Sequence, residues 1–381
     1  MDKSLRIILD MGADYLELPA DEYDLVDCAD RLHNPNGILF TILAMPSNVH
    51  YDRVSKGGLA ELNLLSEKLA AMDCWQQDAF IGLTAMSDSH PDAPALINLA
   101  MNADKCQVLY EVGNHEELGR FYVDNDIYEL PNGTPESLYD YLDYEKIGYE
   151  CRQKEGGIFL DNCYVLNLEP IEQLYDGHPP ELARPSAPFL LTLGLGPPAE
   201  GDPTVTLELP ATDKQIKAVL EQIDSCCPEE CVCHRLVGVL PQAEAWLEDM
   251  GGFDTLNQLA ANVKDIVERN ELPLYKAMLE ATECADLETA LLLSTQTEDY
   301  ILTADMITFE DVAVGELNFM LNSDDAEGLI PFVDLPSFGK QVLKNCNAIL
   351  TDYGQINRVD YQPMQAPAIE PEQDMNQQMM T

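Results

Sequence analysis

The chain has 381 residues, 46% of them hydrophobic, with 68 acidic against 21 basic residues and a formal net charge of −47. That apolar share is enough to build cores and separates the chain from acidic disordered sequences. The charge has the wrong sign for binding nucleic acid or an anionic membrane surface, which leaves basic surfaces or metal ions as partners.

The acids are not gathered in a tail. Residues 1–190 carry 34 acids and 12 bases, and residues 191–381 carry 34 and 9. Self-repulsion of this size works against a compact state, so it asks for a reason. A generally acidic or salt-adapted protein is the plainest one. The N-terminal MDKSLRIILDMGADYLEL has an apolar run broken by Asp10 and Asp14, without the apolar region of a secretory signal. No apolar stretch approaches the roughly 20 residues that span a bilayer. Eleven cysteines, scattered and odd in number, imply reduced thiols and a cytoplasmic location.

In chain order, strands are predicted at 5–10 and 15–18, a helix over 21–32, and a strand in GILFTILAMP. A helical middle follows, over 57–72, 74–86 and 93–103. The third part has a strand near 107–111, helices near 114–124 and 135–147, and a hairpin in GGIFLDNCYVLNL. Prolines and short polar runs in residues 169–188 read as a linker. The pattern then returns. TLELPATDKQIKAVLEQI from Thr206 repeats YLELPADEYDLVDCADRL from Tyr15, and GGFDTLNQL from Gly251 repeats GGLAELNLL from Gly57. FVDLPSFGKQ aligns with YLDYEKIGYE, Asp334 on Asp143 and Gly339 on Gly148. A period near 191 residues is too long for a solenoid and predicts a duplicated unit. The expectation is an α+β protein built on a duplicated unit, each copy a small αβ piece, a helical middle and a mixed end: a first unit over 1–168, a linker over 169–188, a divergent second unit over 189–360, and a disordered tail over 361–381 rich in Pro, Gln and Met.

Catalytic motifs are absent: no GxSxG, HExxH or phosphate loop occurs. DNDIYELPNGTPE fails as a calcium loop because Glu129 and Pro135 stand where glycine and glutamate are needed. SCCPEECVCH brings Cys226, Cys227, Cys231, Cys233 and His234 close in sequence, and these are the chain's candidate zinc ligands. Their spacing is not that of paired zinc knuckles, and the matching stretch of the first unit has no cysteine. No cofactor or resident metal is therefore expected, and no enzyme activity.

The acids themselves are the remaining signal. Duplex DNA carries one negative charge per roughly 1.7 Å of axis, so 47 charges along one surface would imitate about 80 Å of duplex. Glu116, Glu117, Asp124, Asp126 and Glu129 crowd one segment. Asp140, Asp143 and Glu150 recur at three and seven residues and are expected on one helix face, with Glu145 beside them. In the second unit Asp324, Asp325, Glu327 and Asp334 are the counterparts. Some of Tyr139, Tyr141, Tyr144 and Tyr149 must be core or interface.

GGLAELNLLSEKL, EELGRFYVDNDIYELPNGTPESLYDYLDYEKIGYE and GGIFLDNCYV together resemble the ArdA antirestriction family. The resemblance covers most of residues 5–168 and is most specific in YLDYEKIGYE. The second unit resembles it more faintly, with Pro336, Ser337 and Phe338 replacing Tyr-Glu-Lys. The resemblance implies an elongated acidic protein of mobile genetic elements that imitates bent DNA, fills the DNA groove of type I restriction-modification enzymes, and dimerises. Two units in one chain would then act as a built-in pseudo-dimer, or pair as a homodimer. The alternatives are an acidic scaffold of a mobile element with another basic partner, and a metalloprotein built on SCCPEECVCH.

Overall fold

The computed structural model describes residues 5–11, 15–32, 38–43, 45, 56–87, 91–182, 184–198, 203–247 and 250–365. The expected tail beyond residue 365 lies outside them. The fold is α+β, with four small antiparallel sheets and helices between them. Two compact units divide the chain: Met1–Asp21 with Asn34–Leu182, and Glu22–His33 with Ala183–Thr381.

The first unit opens with β1 (Arg6–Asp10) and β2 (Tyr15–Leu18). The helix α1 (Glu22–Arg31) comes next in sequence, and then β3 (Ile38–Leu43) and β4 (Lys56–Gly57). The sheet order is β2-β1-β3-β4, so β1 is central. Ile7 and Leu9 of that strand are buried, as the period of two requires. Three helices form the middle: α2 (Leu59–Ala70), α3 (Cys74–Met86) and α4 (Ala93–Met101). Leu59, Leu62, Leu65 and Leu69 recur at helical spacing and are all buried. Asp73 and Asp92 cap α3 and α4 through their carboxylates. A second sheet, order β5-β7-β6, is built from β5 (Cys106–Tyr110), β6 (Ile158–Leu160) and β7 (Cys163–Asn167). Between β5 and β6 lie α5 (His115–Asp124) and α6 (Tyr144–Glu155).

The second unit follows the same order. The strands β8 (Phe189–Gly194), β9 (Thr204–Leu209) and β10 (Val232–Gly238) make a sheet with β8 central, and α7 (Asp213–Leu220) packs on β9. After the short α8 (Ala243–Trp246) come α9 (Phe253–Glu268), α10 (Leu272–Ala281) and α11 (Leu287–Leu293). The closing part contains β11 (Tyr300–Thr303), α12 (Phe309–Met320), α13 (Ser323–Leu329), α14 (Leu335–Cys346), β12 (Ile349–Thr351) and β13 (Gly354–Arg358). Its sheet order is β11-β13-β12, with the last strand central as in β5-β7-β6. Details match too. Pro19 and Pro210 both follow cis peptide bonds. The amide of Ala20 donates to Asn63 Oδ1 at 3.1 Å, and that of Ala211 to Asn257 Oδ1 at 2.8 Å. The asparagines of LAELN and FDTLN thus fasten corresponding strand-to-helix turns.

The helix α1 is part of the second unit, unlike its sequence counterpart α7, which stays with its own sheet. Tyr23 joins that unit's main core, and its hydroxyl donates to Ala187 O at 2.9 Å. Lys276 of α10, only 2% exposed, places Nζ 2.8 Å from both Asp27 and Asp30. Tyr353 donates to Asp27 at 2.9 Å, and Arg31 pairs with Asp352. Nothing in the sequence of α1 distinguishes the two placements, since its acids read as an ordinary solvated face.

Residues 169–182 belong to the first unit and are ordered against α4, where the sequence suggests a linker running to residue 188. Asn102 accepts from the amide of Glu172 at 3.0 Å and donates to its carbonyl at 2.8 Å. Asn98 accepts from the amide of Tyr175 at 2.8 Å and donates to its carbonyl at 3.1 Å. Two asparagines one helical turn apart therefore act as a strand edge for an extended segment. Tyr175 is buried, and its hydroxyl donates to Glu61 at 3.1 Å.

Candidate functional site

The helices α5 and α6 form the scaffold of the acidic stretch. They cross at glycines: a Cβ on Gly119 would lie 1.9 Å from Tyr144 O, and one on Gly148 1.9 Å from His115 O. Only glycine lets two backbones approach so closely. In the second unit, a Cβ on Gly339 of α14 would lie 1.9 Å from Phe309 O of α12. The core beneath α5 and α6 contains Leu118, Tyr122, Tyr144, Ile147 and Tyr164. Glu155 accepts from the hydroxyls of Tyr122 at 2.8 Å and Tyr164 at 3.1 Å. Burial and that neighbouring carboxylate push both phenols well above their ordinary range.

The predicted helix over 135–147 is not one helix. Residues Glu136–Tyr141 form a 3₁₀ turn, Leu142 is extended, and α6 starts at Tyr144. The break is made by Asp143, whose carboxylate accepts from the amide of Lys146 at 3.0 Å as an N-cap. Asp140, Asp143 and Glu150 consequently do not share a helix face: one sits in the turn, one caps, and Glu150 is half-buried on α6. The other twelve predicted interface acids are exposed.

Several of those acids serve the fold. Glu116 and Glu117 lie in the first turn of α5, Glu145 in that of α6, and Asp324 and Asp325 in that of α13. There the helix dipole favours negative charge. Glu117 also accepts from the amide of Gly113 at 2.7 Å. Asp334 caps α14 and accepts from the Ser337 hydroxyl and amide, which hold its carboxyl below the ordinary aspartate value.

Others do not. Asp124 is the last residue of α5, and Asp126 follows in a left-handed backbone conformation, with no base in the last turn. Negative charge at a helix C-terminus costs about 0.3–1 kcal/mol. Glu129, Asp140 and Glu327 are exposed, and among the described residues none of these five carboxylates has an ion pair. The nearby arginines are engaged elsewhere, Arg120 on the surface and Arg152 half-buried. Arg120 lies 4.6 Å from the centre of the Tyr144 ring and 3.5 Å from Glu116, while Arg152 donates to Gly157 O and covers Phe159. Residues 111–150 hold eleven acids and two bases.

The tyrosines divide as their surroundings dictate. Tyr144 is buried and donates to Tyr139 O at 3.0 Å, and Tyr149 meets the edge of His115. Tyr141 is 83% exposed. The reading from sequence misses Glu111 and Glu136, both exposed, because Glu136 was hidden inside an expected continuous helix and Glu111 ends a strand.

The cysteine cluster separates. Cys231 is buried in the core of the second unit. His234 is held by Gly196 O, 2.7 Å from Nε2, and Cys233 packs on the core, where burial raises its thiol pKa. The pairing of β10 with β8 is irregular between Cys233 and Arg235. Among the described residues, only Cys226, Cys227 and Glu230 bring ligand atoms within 4.8 Å of one another, and Glu230 is not among the five sequence candidates. Cys226 and Glu230 are exposed, and Cys226 Sγ already donates to Glu230 at 3.4 Å.

A scan against models of protein families finds none that matches the chain, and a search among curated proteins finds no match either. Among the described residues, no helix is long and apolar enough to cross a membrane.

Proposed function

We propose that the protein is an acidic DNA mimic that occupies the DNA-binding groove of a type I restriction-modification enzyme. The observation that carries the reading is the group Asp124, Asp126, Glu129 and Asp140. These carboxylates are exposed and unpaired, two of them stand against the dipole of α5, and the local arginines engage Glu116, the Tyr144 ring and Gly157 O instead of them. Charge kept at the expense of the fold is charge with another use. The ArdA-like motifs over residues 5–168 supply the class of partner. No catalytic step belongs to this reading: carboxylates fixed on α5, the 3₁₀ turn and α6 meet lysines and arginines that otherwise hold phosphates, and counterions leave both surfaces.

The test is competition. Purified protein is titrated into a type I restriction-modification enzyme bound to labelled DNA, at several salt concentrations. Displacement near stoichiometry, weakening steeply with salt, is expected. No displacement at low salt from a panel of such enzymes would end the proposal.

A further inference from the structure

Both units hold one large ring in water at the same place. Tyr141 ends the 3₁₀ turn two residues before Asp143, the cap of α6. Phe332 ends the 3₁₀ turn Ile330–Phe332 two residues before Asp334, the cap of α14. Their exposures are 83% and 84%. Three residues before each ring stands a leucine, Leu138 within the turn at 49% and Leu329 at the end of α13 at 41%. The two stretches differ nearly everywhere else, YDYLDYEKIG against IPFVDLPSFG, so the ring is kept while its neighbours change.

The fold gives no reason for these rings. Tyr139 and Leu142, on either side of Tyr141, pack on the core of their unit, while Tyr141 is not part of it. The small core of the second unit's closing part uses Phe309 and Phe338 and omits Phe332. Phe332 has no hydroxyl to solvate, so its exposure brings no polar compensation. A large exposed ring in an acidic stretch has the composition of an interface anchor: rigid, costly to leave wet, and flanked by charge. Glu136, Asp140 and Glu145 lie near Tyr141 in sequence, and Asp325, Glu327 and Asp334 near Phe332, all exposed.

We propose that Tyr141 and Phe332 are apolar anchors that enter hydrophobic pockets in the basic groove of the partner. The carboxylates steer the encounter and the rings hold the complex. The inference rests on the DNA-mimic reading for its partner. Charge complementarity selects that occupant: the flanking acids are exposed and the groove is basic.

The experiment uses the full chain and the same enzyme–DNA competition, with Y141A, F332A, the double variant, Y141F, and an acid variant D124N/D126N/D140N. Matched melting curves establish folding, which the exposed rings leave unaffected. Salt slope counts neutralised charges, and anchor loss does not change that count. The expected result for the double variant is about 30-fold weaker competition at an unchanged salt slope, with Y141F near wild type. The acid variant should show a shallower slope. A loss below about threefold for the double variant, while wild type still competes, overturns the inference and leaves mimicry intact. A wild-type dimer that the double variant dissociates, without change in competition, also overturns it, because the rings would then serve a second copy. Wild type that never displaces DNA removes the mimicry reading itself.

Discussion

Replacing Lys276 with methionine tests the account of α1. Its ammonium lies 2.8 Å from Asp27 and from Asp30, almost wholly out of water, and 5.6 Å from the centre of the Tyr353 ring. Methionine fills similar space and leaves two largely buried carboxylates without their cation. Breaking a buried pair from one side costs about 3–5 kcal/mol. For a unit of this size that lowers the melting temperature by about 6–20 °C. The loss must also depend on pH. Burial already raises the Asp30 carboxyl above its ordinary value, and Lys276 is the main opposing influence. A raised value in the folded state means that the native protein holds the proton more tightly. The contribution of Asp30 to stability is then fully present below the ordinary value near 3.9 and falls as pH rises through the folded one. Without Lys276 the folded value climbs further. The deficit of K276M should therefore be largest at pH 7 and shrink toward pH 4. D27N/D30N in the K276M background should recover most of it. Urea unfolding at pH 7 and pH 4.5 is the assay. A deficit below about 1 kcal/mol at pH 7, or one equal at both pH values, would refute the reasoning.

Gly148→Ala should destabilise the closing part of the first unit by about 1–3 kcal/mol or more, since the new methyl meets His115 O at 1.9 Å. Gly339→Ala should do the same in the second unit, and denaturant titration reads both. D124N and D126N should each raise stability by up to about 1 kcal/mol by relieving the C-terminus of α5, yet weaken competition for the restriction enzyme. Lower stability with unchanged competition would show that those acids serve the fold. N98A/N102A should abolish the slow hydrogen exchange of the Glu172 and Tyr175 amides, which donate to those side chains. Unchanged exchange would mean that the asparagine pairings do not protect them.

Much of this architecture is legible in the sequence because the signals are local. Leucines at 59, 62, 65 and 69 announce α2, and Val205, Leu207 and Leu209 alternate inward along β9. The paired stretches LAELN and FDTLN point to matching turns because Asn63 and Asn257 do matching work. What was not legible depends on distant partners or on competition between similar options. The stretch 135–147 has helical composition, and the capping preference of Asp143 outweighs it. SCCPEECVCH brings soft ligands together in sequence, and strand geometry with core burial takes three of the five away. The strap over 172–175 reads as a linker because its partners, Asn98 and Asn102, lie 77 and 70 residues earlier than Tyr175 and Glu172. Among the acids, sequence locates the charged region, and only the helix ends reveal which carboxylates the fold would rather lose.

The placement of α1 in the second unit also has a consequence in time. Lys276 follows Asp27 by 249 residues. At about 5–20 residues per second, a ribosome needs about 12–50 s to supply that cation after making the two aspartates. The strands β1, β2 and β3 can pair long before then, while α1 between them has no seat. The nascent chain therefore carries a solvated acidic segment with Tyr23 uncovered until most of the polypeptide exists. The second unit in turn cannot finish its core from its own contiguous stretch. A fragment starting at Ala183 would lack Tyr23 and both carboxylates of Lys276, so the two halves of this gene product are not separable by a single cut.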